Sequence, residues 1–280
     1  MSTMDKKPAK HRIDLFLTDS GLSASLEKAK SEILSGWVKI NGETVRDPAK
    51  KISGTENIEV ERPGGLYVSR GGDKLARALE VFRIDLYGVT ALDLGASTGG
   101  FTDCMLKHGA AKVYAVDVGY NQIDYSLRTD TRVVVMEKTH AKDINCSMFA
   151  ERVDFFTADL SFISILKVLP AVYDTFSSIH GVVLVKPQFE ADPSQHKKGV
   201  VKDPEQHINI LERVIEGIKG EGFNVAALTY SPIKGPAGNI EFLTYLKKCP
   251  DGDTFPGTAV TASEIRIIVD EAHKLLDRNV

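Results

Sequence analysis

VTALDLGASTGGF, from Val89 to Phe101, is an apolar run broken by one acid, Asp93, and followed by a turn through Gly95, Gly99 and Gly100. A helix is expected from Phe101 to Gly109. Strand, glycine turn and helix in that order suit a ligand site. Glycine lets the backbone approach a ligand without a Cβ in the way. A helix start offers unpaired N–H groups at the positive end of its dipole. About 20 residues further on, a second apolar run from Lys112 to Val116 ends at Asp117. An acid there suits a ribose with two free hydroxyls.

The order Gly95, Ala96, Ser97, Thr98, Gly99, Gly100 departs from the dinucleotide fingerprint, because Ser97 stands where the second glycine makes room for a pyrophosphate. Asp93 beside the loop would repel a phosphate and attract an ammonium. A ligand with a ribose at one end and an amino acid at the other satisfies both acids, and S-adenosylmethionine is such a ligand. The expected cofactor-binding residues are Asp93, Gly95, Ala96, Ser97, Thr98, Gly99, Gly100, Phe101, Asp117 and Val118, joined by Thr139, His140 and Asp159 at later strand ends. A plain α/β turn without a ligand is the alternative for this stretch taken alone.

The chain has 280 residues, 42% of them hydrophobic, enough for one large or two smaller domains with a sizeable core. Apolar runs such as Gly181 to Val185 are far too short to span a bilayer. The N-terminus, MSTMDKKPAKHR, is polar and basic, unlike a secretory signal. Cys104, Cys146 and Cys249 are scattered, with no metal spacing. A reduced, cytoplasmic protein without a metal is expected. The net charge of −3 argues mildly against nucleic acid. Residues 1–62 carry eleven Lys and Arg against ten Asp and Glu, so any RNA surface must come from local clustering.

Residues 11–62 read as a small module. Ile13, Leu15, Phe16 and Leu17 open a helix, and Leu26, Ala29, Ile33 and Leu34 repeat at helical spacing up to Gly36. Val38 and Ile40 lead into Asn41-Gly42, a hairpin signal, and Ile58 to Val60 closes the module as a strand. The boundary falls in Arg62 to Gly72, with Pro63 and four glycines. Lys74 then starts a helix against the sense of its dipole, which suggests a purpose other than helix stability. Further strands are expected at Val133–Met136, Val153–Phe156, Gly181–Val185, Asn224–Tyr230 and Ile240–Leu246, the last two as a hairpin. A helix from about Ile163 to Phe176 is interrupted near Pro170, and another runs from Pro204 to Lys219. Phe189 to Asp203 is a polar loop, and Thr261 with Glu264 forms a capping box for the last helix. Asp159 and Lys186 stand at the carboxyl ends of adjacent strands, where such sheets place their sites.

Two resemblances follow. Arg12-Ile13-Asp14, Glu27-Lys28-Ala29-Lys30 and Val38-Lys39-Ile40-Asn41-Gly42 resemble the S4 RNA-binding domain. Two basic residues usual in that domain are replaced here by Leu26 and Ser31. YVSRGGDKL, LDLGASTGGFTD, TADLSFIS, VLVKPQFE and GPAGNIEFL, in that order, resemble the TlyA (hemolysin A) family. That family joins an S4 domain to an FtsJ-like RNA ribose methyltransferase. The resemblance implies an α/β fold: a doubly wound, seven-stranded class I (Rossmann-like) methyltransferase domain preceded by a small α+β S4 domain. Expected boundaries are 1–62 for the S4 domain, 63–72 for a glycine-rich linker and 73–280 for the methyltransferase.

The implied activity is S-adenosylmethionine-dependent 2′-O-methylation of ribosomal RNA, on cytidine in 16S or 23S rRNA. The implied partner is ribosomal RNA or a ribosomal subunit, with no membrane. Lys74, Asp159, Lys186 and Glu241 match the four catalytic positions. The RNA-binding candidates are Arg12, Lys28, Lys30, Lys39, Arg46, Lys50, Lys51, Arg70, Lys197 and Lys198. His140 stands where relatives often have asparagine. Rival readings are a non-enzymatic RNA-binding ribosome assembly factor, a membrane-active hemolysin and an NAD-dependent oxidoreductase.

Overall fold

In the computed structural model, residues 11–34, 36–61, 65–191, 199–249 and 259–276 are described. The N-terminal module starts with a two-residue strand β1 (His11–Arg12), then helices α1 (Ile13–Asp19) and α2 (Leu26–Leu34). Strands β2 (Val38–Ile40), β3 (Glu43–Val45), β4 (Lys51–Ile52) and β5 (Ile58–Val60) follow. β2 pairs antiparallel with β3 and with β5, and β1 with β4. Asn41 and Gly42 both have positive φ, 51° and 84°, as a two-residue turn with the strands' own twist requires. Ile13, Leu17, Ala29, Ile33, Val38, Ile40, Val45 and Ile52 form a small core of its own.

The larger domain comprises α3 (Gly71–Phe82), β6 (Thr90–Leu94), α4 (Gly100–Lys107), β7 (Lys112–Val116), α5 (Tyr125–Arg128) and β8 (Val133–Met136). It continues with β9 (Phe155–Ala158), α6 (Leu169–Thr175), β10 (Ile179–Val185), α7 (Pro187–Glu190) and α8 (Pro204–Gly220). β11 (Asn224–Tyr230), β12 (Phe242–Lys248) and α9 (Ala262–Leu276) end it. The seven strands lie in the order β11-β12-β10-β9-β6-β7-β8. β12 runs antiparallel to both neighbours and the remaining pairs are parallel. Alternate residues along a strand face opposite sides of the sheet. Leu92, Leu94, Phe156 and Val183 therefore pack with the α6, α8 and α9 side, and Ala91, Phe155, Val182 and Leu184 with the α3 and α4 side. Helices on both faces make the sheet doubly wound.

Several elements differ from expectation in position. β9 starts at Phe155, two residues later than expected, because its register is set by β6, with Ala91 opposite Phe155 and Leu94 opposite Ala158. β12 likewise starts at Phe242, opposite Val185 of β10. The helix expected over 163–176 is a 3-10 turn, Ile165–Lys167, followed by α6 with Pro170 in its first turn, where a missing N–H costs nothing. The loop expected from Phe189 begins with the short α7. α3 starts at Gly71, not Lys74, and Tyr67 is buried in the core of the larger domain. Gly72 is required there, because a Cβ would lie 2.2 Å from the Tyr67 ring. Residues 67–72 of the expected linker are thus packed onto the larger domain.

Candidate active site

The strand order reverses between β6 and β9, since the chain builds outward through β7 and β8 and then returns to the other side of β6. Open α/β sheets hold their ligands at such a point, outside the carboxyl ends of the strands. The glycine turn after β6 and Asp159 after β9 meet there. Gly95 has a φ of +82°, and a Cβ on it would stand 2.5 Å from the Asp159 carbonyl. Bare backbone therefore forms the inner wall.

Two lobes open from this wall. The larger, about 660 Å³, is lined among others by Lys74, Gly95, Ala96, Ser97, Thr98, Gly100, Phe101, Asp159, Lys186 and Glu241. The second, about 530 Å³, is lined by Asp117, Val118, Thr139 and His140. Both include Gly95, Ser97, Asp159, Ser161 and Phe162, so they are continuous.

The large lobe contains two ion pairs. Lys74 Nζ lies 2.5 Å from Glu241 Oε2, and Lys186 Nζ lies 2.6 Å from Asp159 Oδ1. Lys186 also donates to the Ser161 hydroxyl at 3.1 Å. Topology brings the four together. Asp159 and Lys186 follow the adjacent parallel strands β9 and β10. Glu241 precedes the antiparallel β12, so it reaches the same edge of the sheet. Lys74, in the first turn of α3, is buried against it at 7% exposure, which accounts for a lysine at the wrong end of the helix dipole. Gly235 makes room for Glu241, because a Cβ there would fall 2.5 Å from Oε1.

Most of the expected cofactor set lines the two lobes, while Gly99 and Asp93 do not. Gly99 packs under α5, where a Cβ would meet Leu127 at 2.3 Å. The Asp93 side chain, fully buried, accepts from the hydroxyls of Thr102 at 2.7 Å and Thr157 at 2.8 Å. Burial pushes its carboxyl up to about 6 against those two bonds. Asp93 thus stands behind the glycine loop and ties β6 to α4 and β9, instead of facing a ligand ammonium. Asp117 accepts from the amides of Ser97 at 2.8 Å and Gly119 at 2.6 Å, holding the loop against the end of β7.

Sequence reasoning did not single out Ser161, Phe162, Gln188 or Phe189, all of which line the large lobe. Phe162 is 91% exposed with a φ of 65°, and its ring stands 5.1 Å from that of Phe189. An aromatic placed directly after Asp159-Leu160-Ser161 was the available signal.

The RNA-binding candidates divide. Lys30, Lys50 and Lys51 are exposed, and Arg70 borders the large lobe. Arg12 is paired with Asp14, Lys39 with Glu61, and Lys28 lies over the Trp37 ring at 5.4 Å. Arg46 donates to the Leu34 carbonyl at 2.8 Å and to the Asn121 carbonyl of the larger domain at 3.4 Å. It fastens one domain to the other and is half-buried, not open to a phosphate. Lys197 and Lys198 lie outside the described residues.

Residues 67–248 match the FtsJ-like methyltransferase family, and residues 11–58 match the S4 domain. Hemolysin A of Brachyspira hyodysenteriae is 46% identical over 237 residues, 84% of this chain and 98% of that one. The 16S/23S rRNA (cytidine-2′-O)-methyltransferase TlyA of Mycobacterium tuberculosis is 42% identical over 243 residues, 86% of this chain and 91% of that one. A solved structure from Streptococcus thermophilus that bears a hemolysin name is 39% identical with a TM-score of 0.73, covering 98% of this chain and 99% of that one. With its S4 domain, its FtsJ-like domain and these relatives, the chain belongs to the TlyA (hemolysin A) family of FtsJ-like methyltransferases.

Proposed function

We propose that the protein is an S-adenosylmethionine-dependent 2′-O-methyltransferase acting on a cytidine ribose of 16S or 23S ribosomal RNA, in the cytoplasm. The observation that carries the proposal is the convergence of two lysine–carboxylate pairs on one cleft that continues into the glycine-loop lobe. The residues fit the cofactor. Asp117 borders the lobe suited to a ribose, and the bare backbone of Gly95 leads from it toward the ion pairs. When bound, S-adenosylmethionine supplies an electrophilic methyl on a sulfonium.

A ribose 2′-hydroxyl is a weak nucleophile, and it must be positioned and lose its proton as the new bond forms. Lys186 Nζ is the group assigned to the 2′-oxygen, where it accepts or steers the proton that the hydroxyl loses. Asp159 holds that Nζ in place and balances its charge. Lys74, paired with Glu241, stands beside the developing alkoxide, where a fixed cation lowers the barrier. Glu241 orients Lys74. Exposed Lys30, Lys50 and Lys51 of the S4 domain contribute phosphate contacts. The intact pairs argue against a purely structural assembly factor.

The test is tritiated methyl transfer from S-adenosylmethionine to 30S subunits, 50S subunits and naked rRNA. The expected product carries label at one dinucleotide that resists alkaline hydrolysis. Lys186→Ala is expected to lose the label while still binding the cofactor. Wild-type rates in that variant would remove the assignment.

A further inference from the structure

Two short segments carry half of the candidate catalytic set. One leaves β9 at Asp159 and passes through Ser161 and Phe162 to the 3-10 turn at Ile165–Lys167. The other leaves β10 at Lys186 and turns at once into α7. Their inner ends are joined by the Lys186–Asp159 pair and by the bond from Lys186 to the Ser161 hydroxyl. Their outer ends are joined by Glu190. Its Oε2 accepts from the Ser164 hydroxyl at 2.6 Å, and its Oε1 accepts from the Ile165 amide at 2.9 Å. The Glu190 carbonyl also accepts from the guanidinium of Arg213 on α8.

Glu190 itself lines neither lobe of the cleft. It sits one helical turn from Lys186, and its amide bonds to the Lys186 carbonyl at 3.3 Å. A shift at Glu190 is therefore felt at the Lys186 backbone. The lysine stem is flexible, so its own bonds to Asp159 and Ser161 do not by themselves fix where its Nζ stands. A tie between the outer ends of the same two segments holds their spacing and so restricts it. Burial pushes the Glu190 carboxyl upward, against the bonds from Ser164 and Ile165. A half-buried acid with both oxygens committed to one neighbouring loop is costly to keep for packing alone.

We propose that Glu190 is a positioning residue for methyl transfer, clamping the Asp159 segment to the Lys186 segment and so setting where Lys186 Nζ stands in the cleft. The inference rests on the methyl-transfer reading. Glu190→Ala removes both bonds. Glu190→Gln keeps an oxygen for the Ile165 amide and turns its own N–H toward the Ser164 oxygen. Ser164→Ala removes one bond from the opposite side.

Steady-state methyl transfer to rRNA and calorimetric binding of S-adenosylmethionine are measured on all three, after circular dichroism confirms folding. Glu190→Ala is expected to lose kcat by about tenfold to a hundredfold, the scale of a small misplacement at a reacting centre. Cofactor Kd and the KM for RNA should stay near wild type. Glu190→Gln recovers most of the rate, and Ser164→Ala loses kcat in the same pattern by a smaller factor. An unchanged kcat in both alanine variants overturns the clamp. So does a loss that falls wholly on KM or Kd, or a glutamine variant no better than alanine. Hydrogen exchange on the substrate-free proteins separates the two readings. Faster exchange at residues 160–167 and 186–190 in Glu190→Ala, restored in Glu190→Gln, supports the clamp even if wild type methylates no RNA. Unchanged exchange there overturns it.

Discussion

Lys74 and Lys186 have the same partner chemistry but different surroundings, and the difference is measurable. The Lys74 side chain is 9% exposed and Glu241 1%, against 11% and 22% for Lys186 and Asp159. Removing one member of a buried pair leaves an uncompensated charge and costs about 3 kcal/mol, whereas replacing both with apolar groups is often close to neutral. Lys74→Met is therefore expected to lower stability by about that much in urea titrations. Lys74→Met with Glu241→Leu should recover most of it, and Lys186→Met should cost less than Lys74→Met. Asp93 gives a second prediction at this scale. Its carboxyl rises to about 6 in the folded chain, from about 4 when unfolded. The folded state thus binds the extra proton between those values. The stability this group contributes is present below about pH 4 and lost as pH rises through about 6. Asp93→Asn removes that titration. The melting temperature of Asp93→Asn relative to wild type should climb between pH 4 and pH 6 and level off above, as followed by calorimetry.

Most elements were legible in the sequence because their signals are local. The β7, β8 and β11 ranges follow directly from apolar runs bounded by polar residues. The capping box before α9 is present as written, with Thr261 and Glu264 bonded reciprocally at 2.8 Å, 2.9 Å and 3.3 Å. Thr261→Ala should cost about 1 kcal/mol, read as a shift in the urea midpoint. β9 and β12 were misplaced by two residues each, because pairing partners and not apolar content set where a strand begins. The β11–β12 connection gives the sharper test. Gly235→Ala pushes a methyl into the space of Glu241 Oε1 while leaving both strands intact. Methyl transfer should fall at least tenfold through displacement of the Lys74 partner, with cofactor affinity near wild type in a binding titration.

At the scale of the molecule, the S4 module offers two kinds of basic residue. Lys50 and Lys51 are exposed on its surface, while Arg46 is spent on the Asn121 carbonyl of the methyltransferase domain. Removing a lysine that neutralises one phosphate should flatten the dependence of log affinity on log salt by about one unit. Lys50→Ala and Lys51→Ala are expected to do so in RNA-binding titrations across salt concentrations. Arg46→Ala should leave that slope unchanged and instead make the joint between the domains more sensitive to limited proteolysis.

The sequence by itself determined most of the order of elements, the two-domain organisation and the glycine turn at Gly95 to Gly100, and it offered Lys74, Asp159, Lys186 and Glu241 as candidate groups. These are matters of residue type and short-range period. Only the tertiary structure decided which lysine pairs with which acid, because the partners lie 167 positions apart in one pair and are brought together by an antiparallel strand at the sheet edge. It also decided that Asp93 stands behind the loop with two threonines, and that Arg46 joins the domains. The same carboxylate or guanidinium can meet a ligand or another part of the chain, and only packing in three dimensions chooses which is within reach.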